Sequence, residues 1–182
     1  PLYSSAASDV YKRQILGGGQ LGRMSALAAA RLGYRCHVYA PEADSPGMQV
    51  AAARTVAAYE DVAALTAFAA AVDVVTFEFE NVPAATLDAL APLVPCRPGV
   101  EALRIGQDRI LEKRFFEAAG IPVGPWRAVT DRAGLDAAVA EIGLPAVLKT
   151  TRMGYDGRGQ AVLRSAAELD AAWDRLAPRP LI

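Results

Sequence analysis

The sequence has little with which to hold a metal or close a disulfide. Its two cysteines, Cys36 and Cys96, stand far apart in apolar surroundings with no C-x-x-C spacing. That excludes a paired redox motif and points to reduced core thiols of a cytoplasmic protein. The single histidine, His37, lies inside the apolar run Cys36-His37-Val38-Tyr39, and one histidine cannot make a zinc site. No apolar run approaches the roughly 20 residues that a membrane span needs, and no signal peptide is visible. An excess of positive charge is missing too. A formal net charge of −1 offers no basic field for a nucleic-acid backbone, so cations matter locally. What remains is apolar: 53% hydrophobic residues against 21% charged support one medium domain or two small ones with real cores.

Residues 1–14 do not read as the start of the fold that follows. Pro1 to Val10 is polar and rich in serine, and Tyr11-Lys12-Arg13-Gln14 puts two cations where a buried strand should run into Ile15-Leu16. The expectation is a non-native leader, set outside the fold. From Ile15 the pattern is regular. Gly17-Gly18-Gly19-Gln20-Leu21-Gly22 precedes an alanine-rich helix over Met24 to Leu32, closed by Gly33, and a strand over Arg35 to Ala40. The turn satisfies G-x-G-x-x-G at Gly17, Gly19 and Gly22, with Glu42 about 20 residues on, as a dinucleotide fingerprint asks. A nicotinamide-dependent oxidoreductase is therefore one reading. It leaves a second glycine loop idle, and Pro41 makes an unusual ribose site.

Next, Asp44-Ser45-Pro46-Gly47 turns the chain. A short helix over Met48 to Ala53, a short strand over Thr55 to Ala57 and a helix from Asp61 through Ala70 are expected. Val72 to Phe77 is an apolar strand that delivers Glu78-Phe79-Glu80-Asn81 to its carboxyl end, the edge where open α/β sheets bind ligands. The plainer alternative is that Asn81 caps the helix after Pro83. Pro92, Pro95 and Pro98 mark a change of texture, and a boundary falls between Pro98 and Gly106, giving one domain over 15–100 and a second over 101–182. The second reads as helices over Gly99 to Ile105 and Asp108 to Ala119, a strand over Trp126 to Val129, a helix over Asp131 to Ile142, two strands around a glycine loop, and a helix from Ser165 to Leu176 with Glu168 in the capping-box position. The chain stops at Pro180-Leu181-Ile182, which looks like the beginning of another strand, so part of the protein is expected to be absent.

The stretch Lys149 to Gln160 is where loop chemistry and charge meet. Pro145-Ala146-Val147-Leu148 reads as a buried strand, so Lys149 emerges at its end, where an anion would offset its burial. Gly154, Gly157 and Gly159 follow, interleaved with Arg152 and Arg158, and Gln160 to Leu163 resumes as a strand. Glycines let successive N–H groups converge on one point, which is how such loops cradle phosphates. Because the loop joins two strands, it is not a Walker-type P-loop. A solvated glycine-rich hairpin is the plainer reading.

Taken in order, Gly17 to Met24, Thr76-Phe77-Glu78-Phe79-Glu80-Asn81, Gln107-Asp108-Arg109 with Lys113, and Gly154-Tyr155-Asp156-Gly157-Arg158-Gly159-Gln160 resemble the motifs of N5-carboxyaminoimidazole ribonucleotide synthetases. These are ATP-grasp carbon–nitrogen ligases of purine biosynthesis. The resemblance covers Ile15 to Ile182, about the first half of such an enzyme, and Met153 stands where many members have glycine. It implies a Rossmann-like (pre-ATP-grasp) α/β domain with a parallel sheet, followed by the first part of an α+β ATP-grasp domain. It implies that Arg109 and Lys149 are ligands of the ATP phosphates and that Gly154 to Gln160, with Gly157 and Gly159, form a loop closing over them. Tyr155, Asp156 and Arg158 would face aminoimidazole ribonucleotide, with Asp156 and Arg158 the catalytic pair. Gln20, Leu21 and Glu80 would make further contacts to that nucleotide. The implied partners are ATP, bicarbonate and aminoimidazole ribonucleotide, with a homodimer when complete. Mg2+ is implied with ligands beyond residue 182, so this chain alone is expected to bind ATP poorly and not to turn over. The formate-dependent glycinamide ribonucleotide transformylase is the nearest relative of that pattern, with a Ser-rich loop lacking the Tyr-Asp pair. A non-catalytic nucleotide-binding module is a further alternative.

Overall fold

The computed structural model describes residues 12–153 and 157–182. Contacts divide the chain into two compact units, one ending at Leu103 and one over Arg104–Ile182. The first holds strands β1 (Lys12–Leu16), β2 (Arg35–Ala40), β3 (Ala53–Val56) and β4 (Val74–Phe77), all parallel, in the order β3-β2-β1-β4. Helices α1 (Gln20–Arg31), α2 (Val62–Ala70) and α3 (Ala84–Leu90) connect or follow them. Strand alternation sends Ile15, Val38 and Ala40 to a core with Ala26 of α1, while Leu16, Tyr39 and Val75 pack with Leu65 and Phe68 of α2 and Leu87 and Leu90 of α3. Both faces of the sheet are therefore covered, as a parallel sheet requires. Each fully buried side chain such as Phe68 contributes roughly 1.5–3 kcal/mol.

Three expectations need correction in this unit. Lys12, Arg13 and Gln14, set outside the fold by their polarity, form the first part of central β1, pairing with Arg35, Cys36 and His37 of β2. The Arg13 guanidinium escapes burial by lying over the Tyr34 ring, 4.3 Å from its centroid. Met48 to Ala53 is not a helix: residues 46–50 are turns that drop Met48 into the core, and β3 already begins at Ala53. Asn81 is not a cap, since Pro83 holds the N-cap position of α3.

The second unit takes in the second half of α4 (Val100–Gln107), then α5 (Arg109–Ala118), α6 (Arg132–Ile142), the antiparallel pair β5 (Ala146–Lys149) and β6 (Gln160–Leu163), and α7 (Leu169–Leu176) after a 3-10 turn over Ala166–Glu168. Asp108 caps α5 through the Ile110 and Leu111 amides, and Asp131 caps α6 through Gly134. The Glu168 carboxylate reaches back to the Arg164 and Ser165 amides, which hold its pKa below the usual carboxylate value. Leu148, Ala161 and Leu163 point into a core with Leu135 of α6 and Leu169 and Leu176 of α7. Trp126 to Val129 makes no strand; Val129 forms only a single bridge to Leu181. Leu181 also bridges Thr150 and is 1% exposed, so the apolar end of the chain is paired, not an open edge.

Candidate functional site

Each unit presents one constellation of candidate groups. In the first, β1 and β4 are ladder partners up to Leu16 and Phe77, so Gly17 and Glu78 leave the sheet side by side. Gly17 has φ +113°, a conformation open to glycine, and leads into α1, whose N-cap is Gly19. No side chain caps α1 and its first turn carries no acid, so its N-terminal amides are left to whatever approaches. What stands there is Glu78. Its Oε1 lies 3.1 Å from a Cβ built at Gly17 or at Gly22 and 3.5 Å from one at Gly19. Burial, the larger effect, raises the Glu78 pKa, while the facing amides of Gly22 and Gly19 pull it down. Oε1 is buried without a hydrogen-bond partner. Nearby, burial and the charges of Glu42 and Glu78 push the Tyr59 hydroxyl up to about 12, so it stays neutral.

Gln20 and Leu21, expected at a ligand, occupy the exposed first turn of α1. Glu80, the carboxylate named from sequence, is exposed two residues beyond Glu78, and Glu78 is the acid that meets the glycine loop. The sequence placed both acids at the strand end, and the resemblance pointed to Glu80 alone. The discriminating signal is register: Glu78 directly follows the ladder pair Leu16 and Phe77.

In the second unit, alternation along β5 and β6 leaves one face of the pair outside the core. Val147 and Val162 stand opposite each other there, 46% and 44% exposed, and the next pair on that face is Lys149 and Gln160. Val147 and Lys149 of that face, the edge of the core at Leu148 and Leu163, and α5, which buries none of its residues, line a cleft of about 450 Å³. Trp126, Ile142 and Val147 give it an apolar lining, and Arg109, Lys113, Arg127 and Lys149 line it with cations beside one acid, Glu112. Arg109 is fixed twice: its amide donates to the Thr151 carbonyl at 3.0 Å and its guanidinium to the Thr150 carbonyl at 2.9 Å. Arg152 meets the capping residue Asp108 at 3.4 Å. Apolar walls with four cations against one acid suit a flat heterocycle carrying an anionic tail.

The structure therefore brings Arg109 and Lys149 to one cleft, with Gln160 paired to Lys149 across the strands. Gly157 and Gly159 have φ +79° and +68°, and Arg158 between them is exposed. Gly154, Tyr155 and Asp156 lie outside the described residues. Among the described residues, no group of three or more His, Cys, Asp or Glu could hold a metal ion, and no helix is long and apolar enough to cross a membrane.

Residues 11–107 match the family model of the ribonucleotide synthetase preATP-grasp domain, and residues 114–182 match that of the ATP-grasp domain. The chain is 50% identical over 157 residues to an N5-carboxyaminoimidazole ribonucleotide synthase of Brucella melitensis, covering 86% of this chain and 43% of that protein. It superposes with a TM-score of 0.89 on the ADP complex of an N5-carboxyaminoimidazole ribonucleotide synthetase, at 43% identity, over 94% of this chain and 46% of the other. It also superposes with a TM-score of 0.82 on the Aspergillus clavatus N5-carboxyaminoimidazole synthase in complex with ADP and 5-aminoimidazole ribonucleotide, at 29% identity, over 95% and 46%. The chain thus spans less than half the length of these relatives. The chain, with its parallel sheet opening on a glycine loop and two later strands around a second one, belongs to the ribonucleotide synthetase preATP-grasp family, continued by ATP-grasp sequence.

Proposed function

We propose that this chain is the amino-terminal part of a ligase that carboxylates 5-aminoimidazole ribonucleotide with bicarbonate at the expense of ATP, giving N5-carboxyaminoimidazole ribonucleotide in purine biosynthesis. The observation that carries the reading is the 50% identity over 157 residues to a synthase of that name. In the reaction, a bicarbonate oxygen attacks the γ-phosphorus and ADP leaves, forming carboxyphosphate. Carboxyphosphate breaks its C–O bond to give CO2 and phosphate. The exocyclic amine then attacks CO2 and loses a proton, forming the carbamate.

Phosphoryl transfer of this kind needs positioning and charge neutralisation more than covalent help. Lys149 and Arg109 supply cations at the apolar cleft, where adenine would fill the space beside Trp126 and Val147 and the phosphates would meet the positive charges. Bound Mg2+ would neutralise further phosphate charge. Gly157 and Gly159 give the loop hinge freedom to exclude water from a labile intermediate. Asp156 would accept the proton of the amine and Arg158 would hold the substrate's phosphate. At the first glycine loop, a carboxylate already faces the amides, which disfavours a pyrophosphate there and favours an N–H donor. Glu78 accordingly joins Glu80 as a candidate contact to an N–H donor of the ribonucleotide.

The test is made in a complete synthetase carrying this sequence as its amino-terminal part. Asp156→Ala with Arg158→Ala, and separately Lys149→Ala, should each cut ADP formation dependent on both bicarbonate and aminoimidazole ribonucleotide by at least about 100-fold. Normal carboxylation in the double variant would sink the assignment.

A further inference from the structure

The first glycine loop is held from behind by the turn that follows β2, and nothing in the proposed chemistry uses that turn. The Gly47 amide donates to the Gly18 carbonyl at 2.7 Å. Contact is so close that a Cβ at Gly18 would meet Ser45 Oγ at 2.1 Å, and one at Gly47 would meet Gly18 Cα and O at 3.2 Å. Arg23, in the first turn of α1, donates to the Pro46 carbonyl at 3.3 Å and to Gln49 Oε1 at 3.0 Å. A cation near a helix N-terminus opposes the macrodipole, so this placement is explained by what the guanidinium holds. Met48, 2% exposed, anchors the same turn in the core beneath α1.

We propose that the turn Ser45–Gly47, latched to α1 by Arg23, is a positioning element that sets the Gly19 amide toward Glu78. The peptide joining Gly18 and Gly19 is trans and planar, so its carbonyl and N–H point in opposite directions. With the Gly18 oxygen held by Gly47, the Gly19 N–H is turned to the other side, where Glu78 stands. Gly22 reaches the same carboxylate from α1 and does not depend on the turn. The brace thereby prepares a polarised acid at the loop, which deepens the reading of Glu78 as a candidate contact to a substrate N–H donor and rests on that reading for its purpose.

The experiment needs neither nucleotide nor substrate, so it fails or succeeds independently of the assigned reaction. Amide shifts of the 182-residue chain are followed by 1H–15N NMR as Glu78 titrates, with Glu78→Gln identifying the shifts that report on it. In the parent chain both Gly19 and Gly22 should move with pH. In Gly47→Ala and in Arg23→Gln, the Gly19 response should be largely lost while Gly22 keeps its own, and Arg23→Lys should restore part of it. Retention of the Gly19 response in both variants overturns the proposal, as does loss of both responses together. Arg23→Gln leaves the packed turn chemically intact, so the test stands even where Gly47→Ala does not fold.

Discussion

Glu78 stands over Gly22. A Cβ at Gly22 would sit 3.1 Å from Glu78 Oε1 and 2.7 Å from the carbonyl oxygen of Gly17, although Gly22 lies in α1 and the other two just past β4 and β1. Alanine at position 22 would gain about 1 kcal/mol of helix propensity, yet overpacking against backbone costs about 1–3 kcal/mol. The backbone oxygen cannot swing away as a side-chain tip would. Gly22→Ala is therefore expected to lower the urea midpoint of the chain, and an unchanged or raised midpoint would show that the loop is looser than this contact implies.

The half-buried carboxylate of Glu78 gives stability a particular pH dependence. Its pKa is raised in the folded chain above the ordinary value of 4.5, so the folded state binds the extra proton between the two values. Its contribution is fully present below about pH 4.5 and is lost as pH rises through the folded value. Glu78→Gln should remove that downward slope and make the ligand-free chain more stable at neutral pH. Chemical denaturation at a series of pH values checks this, with the difference between parent and variant isolating Glu78 from Glu168, whose lowered pKa works in the opposite sense. A variant less stable than the parent at pH 7 would contradict the sign.

Gln14 is fully buried, and both its amide nitrogen and its oxygen lack a hydrogen-bond partner. An unsatisfied buried polar group costs about 1–3 kcal/mol. Gln14→Leu keeps nearly the same size and removes both orphans, so it should raise stability by on the order of 2 kcal/mol. Thermal and urea unfolding measure it, and a drop in both would mean that the amide is satisfied in solution.

Met153 adopts φ +60°, a conformation that costs an L-residue about 1–2 kcal/mol. Glycine removes that cost and adds about 0.5–1 kcal/mol of chain entropy. Met153→Gly is thus expected to stabilise by up to about 1 kcal/mol, most visibly as slower hydrogen exchange at the neighbouring Thr150 and Thr151 amides. Faster exchange there would argue against strain at this position.

Much of this architecture is legible in the residues because local and tertiary preferences agree. Strand β2 falls on Arg35 to Ala40 as its apolar run predicts, and Asp61 and Asp131 cap the helices that follow them. The two strands around the second glycine loop are equally plain. Where tertiary contacts override local signals, the reading goes astray. Met48 looks helical beside alanines but is an anchor for a turn, and Lys12 to Gln14 look too polar for a central strand until pairing draws them in. Trp126 to Val129 has strand composition but pairs with the chain end through only a single bridge at Val129. That Glu78 faces the first glycine loop was invisible because it depends on which position of β4 lies level with Leu16, a fact of hydrogen bonding between distant segments.

That ladder has one more consequence. The acid and the glycines share an address written in main-chain atoms: sliding β4 by a single position would carry Glu78 off the loop and bring Phe77 or Phe79 to it, converting a polar niche into a greasy one. Side-chain replacements elsewhere in the sheet can weaken the unit without moving the niche, whereas one inserted or deleted residue in β1 or β4 would erase it while leaving the composition almost untouched.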